Sequence, residues 1–386
     1  MPEEGLYSYT RILALLLLAA QFFANHASAD DRLFILQANR IALLTDLNAD
    51  GDYLDFAEIV TYAEGLPQNV DSIAFNQGRL FAAINQPPGI LVIEDLNHDG
   101  DALDFAEVRT FATYQPLAHS LKDIVVLPDG TVICGNETAG QIIQFRDDNG
   151  DGDALDFDEI TVIASIDGTI RAISARPDGC LLVAIATEST PVRILRDRNL
   201  DGDYFDFAEN LSYAENLPAG VDLQSPHNNM GYLSRLGQSD IMRLFDRTRR
   251  RRARFRRMHR LRIGIDGISA LAHRGDVIYA AVMAQTTRLL VIRDSNDDGD
   301  ALDFGEVLEA AAGLEPIKSM AVPTSNIECL LGDTNADGLV TPADIPSMAS
   351  AIVGVSSNVE SCQTDMNGDG QLDGRDISLF VAALLN

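Results

Sequence analysis

DLNADGDYLDFAE, residues 46–58, returns as DLNHDGDALDFAE at 95–107, DDNGDGDALDFDE at 147–159, DRNLDGDYFDFAE at 197–209 and DSNDDGDALDFGE at 294–306. The starts lie 49, 52, 50 and 97 residues apart, so the last gap spans two periods. Self-similarity near a fifty-residue period marks a repeat architecture. Within each phrase, acids or Asn hold positions 1, 3, 5, 7, 10 and 13, and Gly holds position 6. A hard cation such as calcium takes roughly six to eight oxygens, and a tight Gly turn lets a short loop converge on it.

The expected ligands are read off phrase by phrase. The first offers Asp46, Asn48, Asp50, Asp52, Asp55 and Glu58; the second Asp95, Asn97, Asp99, Asp101, Asp104 and Glu107. The third offers Asp147, Asn149, Asp151, Asp153, Asp156 and Glu159; the fourth Asp197, Asn199, Asp201, Asp203, Asp206 and Glu209. The last offers Asp294, Asn296, Asp298, Asp300, Asp303 and Glu306. Spacing leaves open whether position 10 or position 13 completes the shell. An acidic, solvated surface is the weaker reading. The five phrases hold 28 of the 58 acidic side chains behind the net charge of −29, and generic acidity does not set Gly and Asp in register five times.

Around each phrase the chain repeats four short apolar segments, for example DSIAF, RLFAAI, GILVIED and, after the loop, EVRTFA. Runs this short, rich in Val, Ile and Phe and bounded by Gly, Pro, Asn and Asp, are strands. Pro-Asp-Gly at 128–130 and 177–179 marks the turn between the first two. Four antiparallel strands per repeat predict a mainly β, six-bladed β-propeller, with each acidic loop joining the third and fourth strands of its blade. The sixth blade is the one whose loop should start near Asp246, after the strand IMRLF. The first blade lacks an inner strand, and IKSMAVP at 317–323 resembles the missing piece. Ile317 to Val322 is therefore expected to close the ring from the far end of the chain, removing two open edges.

Where the fifth phrase should stand, the chain reads DRTRRRRARFRRMHRLRIG, with ten arginines between Arg247 and Arg262. Shifted by one base, with CGN codons and each shifted position admitting only a handful of amino acids, Arg249 to Arg257 can be read Asp-Gly-Asp-Ala-Leu-Asp-Phe-Asp-Glu. That is the wording of Asp151 to Glu159. The run is read as a local frame shift restored near Ile263 to Asp266, either a lesion or a sequencing error. AGA or AGG codons there would end the idea. No calcium is expected at 246–258 and no nucleic-acid partner is read from the run, while the outer strand of this blade stands at risk.

Both ends differ from the repeats. Arg11, an apolar run from Ile12 to Phe23 and the Ala27-Ser28-Ala29 site predict a signal peptide over 1–29 and an exported chain with no membrane span. The propeller is expected over 30–325. From 329 the composition changes, and two twelve-residue loops follow. One offers Asp333, Asn335, Asp337, the Leu339 carbonyl, Thr341 and Asp344; the other Asp365, Asn367, Asp369, the Gln371 carbonyl, Asp373 and Asp376. Gly338 and Gly370 take the turning position, and each loop runs into an apolar helical stretch. This duplicated loop-then-helix unit over 329–386 resembles a dockerin-type module. The resemblance implies a small α-helical calcium-binding domain that docks onto a cohesin-like or surface protein, often tethering polysaccharide-degrading enzymes. Positions ten and eleven, on which partner choice leans in that family, read Pro342-Ala343 and Gly374-Arg375. Cys329 and Cys362, in matching places ahead of the loops, are expected to bridge, whereas Cys134 and Cys180 sit in strand-like runs as buried thiols.

Catalytic motifs are scarce. There is no G-x-S-x-G elbow, no zinc-ligand spacing and no Trp for stacking on sugars. A site at the ring's centre would draw on His119, Asp123, Asp222 and His227, although ordinary polar loop residues are the stronger reading. The expectation is a monomeric, secreted calcium-binding propeller with about seven calcium sites, serving as a structural or interaction module. The competing class is a propeller hydrolase or lyase of a polysaccharide-degrading system.

Overall fold

The computed structural model describes residues 32–48, 50–115, 120–177, 179–186, 192–214, 220–227, 230–235, 240–245, 258–262, 265–275, 277–283, 286–293, 301–303 and 305–323, and in the C-terminal unit 345, 348–349, 364, 366 and 374–384. The chain divides into two compact units, Met1–Pro323 and Thr324–Asn386.

The first unit is a six-bladed propeller, six antiparallel sheets of four strands each. Blade 1 holds β1 (Arg32–Leu36), β2 (Ile41–Thr45), β3 (Ile59–Ala63) and, from the far end, β24 (Ser319–Ala321). Blade 2 holds β4 (Val70–Asn76), β5 (Arg79–Ile84), β6 (Gly89–Glu94) and β7 (Val108–Thr113). Blade 3 holds β8 (Leu121–Val126), β9 (Val132–Asn136), β10 (Gln141–Phe145) and β11 (Ile160–Ser165). Blade 4 holds β12 (Ile170–Ala175), β13 (Leu181–Ile185), β14 (Val192–Leu195) and β15 (Asn210–Ala214). Blade 5 holds β16 (Gly220–His227), β17 (Met230–Arg235), β18 (Asp240–Phe245) and β19 (Met258–Arg262). Blade 6 holds β20 (Ile268–Arg274), β21 (Val277–Met283), β22 (Thr287–Ile292) and β23 (Val307–Leu314).

The apolar runs lack strict alternation because each sheet is buried on both faces. Leu33 and Ile35 pack toward blade 6, whereas Phe34 and Leu36 pack toward blade 2. Every hydrophobic cluster is of this kind, made between neighbouring blades, so an isolated blade has no core of its own. Closure runs as the terminal segment predicts: β24 pairs antiparallel with β1, Phe34 facing Ala321 and Leu36 facing Ser319. The Lys318 ammonium donates to the carbonyls of Gln68 (2.7 Å) and Val70 (2.9 Å), tying this strand to blade 2.

Blade 5 departs from expectation. It keeps four strands, because Met258–Arg262, inside the arginine-rich run, pairs with β18. The substitute strand is regular, and here it differs from the others. In the remaining blades the outer strand carries a bulge that skips Tyr62, Phe111, Ile163, Tyr213 or Ala310. Such a bulge leaves a main-chain group unpaired within its own sheet.

In the second unit, helix α1 (Gly374–Leu384) has Asp376 buried in its first turn, where a carboxylate favours the positive end of the helix dipole. Phe380 is buried on the same helix.

Candidate metal loops

Each of the first four acidic phrases folds as a loop between the third and fourth strands of its blade, and the fifth stands between the corresponding strands of blade 6. Gly at position 6 takes a left-handed conformation, with φ of 94° at Gly51, 104° at Gly100, 98° at Gly152 and 92° at Gly202. Its N–H donates to the first Asp of the loop, Asp46, Asp95, Asp147 or Asp197, at 2.9 Å in every case. Position 12 is also left-handed although no Gly stands there: Ala57, Ala106, Asp158 and Ala208 have φ of 67–72°. Side chains other than Gly and Asn adopt this conformation at a cost, so the geometry repeats because the surrounding bonds enforce it.

Position 13 supplies much of that enforcement. Glu58, Glu107, Glu159 and Glu209 are buried, and each spreads its two oxygens over the main chain. Glu58 accepts N–H bonds from Leu47 and Asp55, both at 3.0 Å, and Glu107 from Leu96 and Asp104, both at 2.9 Å. Glu159 binds Asp148 and Asp156 in the same way, and Glu209 binds Arg198 and Asp206. In the last loop the Asp303 N–H donates to Glu306 at 3.1 Å. Sequence spacing could not reveal this role, since it offers Glu only as a ligand.

Above the glutamate, side-chain oxygens gather at the loop's open end. The Asn48 carboxamide nitrogen donates to both Asp50 and Asp55, and Asn97, Asn149 and Asn199 repeat the arrangement with Asp99 and Asp104, Asp151 and Asp156, and Asp201 and Asp206. Position 7 turns inward on its own loop: Asp52, Asp101, Asp153 and Asp203 accept the N–H two residues on. In the fourth loop, carboxylate oxygens of Asp201, Asp203 and Glu209 all lie within 4.8 Å of one another. In the first, Asp46 Oδ1 is buried without a hydrogen-bond partner.

The loops also reach across blades. The N–H at position 8 donates to the bulged residue of the preceding outer strand: Tyr53 to Ala310, Ala102 to Tyr62 and Ala154 to Phe111, each at 2.7 Å, and Tyr204 to Ile163 at 2.8 Å. The bulge carbonyl thus finds its donor in the next blade. Burial, reinforced by the charge of Asp95, pushes the Tyr62 hydroxyl up to about 12; burial and Asp197 do the same to Tyr204. Both phenols stay neutral beside these acids.

Several expected residues lie outside the described ones: Asp294, Asn296, Asp298 and Asp300; Asp333, Asn335, Asp337, Leu339, Thr341 and Asp344; Asp365, Asn367, Asp369, Gln371 and Asp373; Cys329 and Cys362; His119; and residues 1–29 and 246–257. His227 ends β16, its side chain outside the described set. Asp123 and Asp222 do face the ring's centre, where they hold neighbouring blades. Asp123 accepts from Ser72 Oγ (2.6 Å) and the Ile173 N–H (2.7 Å); Asp222 accepts from the Leu223 and Leu271 N–H groups, both at 2.6 Å. Each keeps some solvent contact but is walled in by protein, and that confinement raises both carboxyls, Asp222 to about 7 with the charge of Asp123 as second cause. Cys134 and Cys180 are buried thiols outside any disulfide, and Cys180 Sγ accepts from Arg196 Nε at 2.9 Å.

Residues 331–385 match the family model of the dockerin type I domain. The C-terminal unit is a dockerin. Dockerins bind calcium and cohesins, and proteins that carry a dockerin are typically extracellular or at the cell surface. The propeller is similar in fold to a chain of a nidogen/laminin complex, with TM-score 0.55 and 14% identity over 75% of this chain and 97% of that one. Two further solved structures are also similar to it. A protein of unknown function from Bacteroides caccae has TM-score 0.46 and 15% identity over 75% of this chain and 97% of that one. Virginiamycin B lyase from Staphylococcus aureus has TM-score 0.46 and 13% identity over 73% and 81%. No curated protein matches the chain. Among the described residues no helix is long and apolar enough to cross a membrane.

Proposed function

We propose that this is an exported, calcium-stapled propeller that serves as a structural or interaction module and is tethered to a cohesin-bearing partner by its dockerin. Calcium enters five propeller loops and the two dockerin loops, about seven sites in all. The observation that carries this reading is the unpartnered, buried Asp46 Oδ1 in a loop where Asp50 and Asp55 both converge on Asn48. A carboxylate oxygen sealed from water with no donor is costly, and a divalent cation offsets that cost. The donor set fits a hard cation, being all oxygen apart from one carboxamide nitrogen. Turning the Asn carboxamide over would present Oδ1 to the cation in place of Nδ2. The glutamate at position 13 keeps lone pairs free after accepting its two N–H bonds, so it joins the shell without surrendering its hold on the loop.

Calcium would neutralise clustered like charge and lock the loop that clasps the preceding blade. Calorimetric titration of the chelator-treated protein tests this. Uptake of about seven ions, with a melting temperature that falls in chelator and recovers with calcium, is expected. Absence of binding heat, or melting indifferent to chelator, rejects it.

A further inference from the structure

The same loops carry a feature that metal binding leaves unused. Position 11 is Phe in every loop, and in the first four loops its side chain is almost wholly in solvent: Phe56 is 99% exposed, Phe105 100%, Phe157 92% and Phe207 99%. Loop folding does not need these rings, since the turn, the buried glutamate and the residue at position 8 build the loop. Single exposed apolar residues are ordinary, but four large rings at one structural position are not scatter. Topology also aligns them. Each blade is a meander read outward from the axis, so the loops between third and fourth strands all leave the same face of the disc. Blades 1 to 4 therefore present an arc of four exposed phenylalanines, one per blade, each set among carboxylates.

We propose that this arc is a docking surface for a basic polypeptide, a partner that displays Lys or Arg among apolar side chains. Charge selects this occupant. Each of the four loops carries at least five carboxylates, so a single bound divalent ion still leaves it net negative. An anionic lipid surface is repelled on that count, and so is the same face of a second copy. A cationic partner is attracted over distance, its guanidinium or ammonium groups can sit over the phenyl faces, and its apolar side chains cover the rings. The surface differs from the dockerin, and the proposal does not rest on the calcium reading.

The test uses the full chain and two synthetic peptides of equal charge: an amphipathic helix of Leu and Lys, and its counterpart with Ser for every Leu. The Leu-containing peptide is expected to bind about tenfold tighter, with and without chelator. The variant F56S/F105S/F157S/F207S, whose altered side chains are in solvent and whose melting should be unchanged, is expected to reduce that affinity to the Ser peptide's. Equal affinity of the two peptides for the native chain overturns the proposal, because bare ion exchange then explains the binding. So does an unaltered preference in the variant. Phe-dependent binding to anionic vesicles, or Phe-dependent self-association in sedimentation, would assign the face to another occupant and overturn it as well.

Discussion

The Tyr53 N–H donates to the Ala310 carbonyl at 2.7 Å, joining a loop of the first blade to the outer strand of the last. Tyr53 is position 8 of its loop, and Ala310 is the residue that β23 bulges out of its pairing with β22. Ring closure is thus made twice, near the axis by β24 on β1 and at the rim by this bond. The rim bond has counterparts between blades 1 and 2, 2 and 3, and 3 and 4. The acidic loops are clasps between blades as well as gatherings of carboxylates.

Removing the glutamate that shapes a clasp should be costly. Glu107→Ala leaves the N–H groups of Leu96 and Asp104 without their acceptor. A loss of about 2–4 kcal/mol in urea unfolding is expected from two stranded donors. Phe105→Ala, two residues away and in solvent, should change stability by less than about 0.5 kcal/mol. Similar losses in both variants would show that Glu107 does not organise the loop.

Two glycines separate backbone conformation from space. At Gly100, φ is 104° and an added Cβ meets nothing within 4 Å, so Gly100→Ala pays for conformation only, about 1–2 kcal/mol. At Gly140 an added Cβ would lie 2.3 Å from the Ile166 carbonyl, a backbone atom that cannot swing aside. Gly140→Ala should therefore be the more damaging, with melting points compared side by side. The reverse order would mean that the contact between Gly140 and Ile166 relaxes easily.

Closure at the axis can be tested by truncation. A chain ending at Pro323 retains β24, whereas one ending at Pro316 loses Ile317 and Met320, both buried between blades 1 and 6. The longer form is expected to unfold in one sharp transition. The shorter should melt earlier and expose the inner edge of β1 to amide exchange. Equal exchange along Leu33 to Leu36 in both forms would count against the closing strand.

The Asp222 carboxyl, raised to about 7 by burial and then by Asp123, imposes a pH dependence of known sign. Between an ordinary carboxyl pKa of about 4 and that value, the folded chain holds a proton that the unfolded chain has released. Its contribution is full below about pH 4 and is lost as the pH rises through about 7. Denaturant titrations at pH 5 and pH 8 should show the native protein losing on the order of 1–2 kcal/mol more than Asp222→Asn across that interval. Parallel profiles would remove Asp222 as the source.

Much of this was legible before any coordinates. The fifty-residue period, the short apolar runs and the stray segment at 317–322 were enough for six blades, four strands each and a shared first blade, because strand lengths and turns are local and a ring cannot tolerate open edges. The twelve-residue spacing of the two C-terminal loops is equally local. Blade 5 was read less well. Its arginine-rich run is expected from the sequence to endanger the outer strand, yet Met258–Arg262 fills that place, since pairing to β18 asks only for an extended backbone and is indifferent to which side chains hang from it.

Other facts had no signal in one dimension. The bulges at Tyr62, Phe111, Ile163 and Ala310 carry no shared residue type, so their carbonyls could not be matched to donors some forty residues on, or, for Ala310, at the opposite end of the chain. Burial likewise separated roles that spacing had merged, setting Glu58 beneath its loop and Phe56 in open solvent two positions before it. Composition and periodicity dictate which strands form and in what order they pair, because those depend on near neighbours. Which groups meet across the gaps between blades depends on how six sheets pack around one axis, and that is set only when the ring closes.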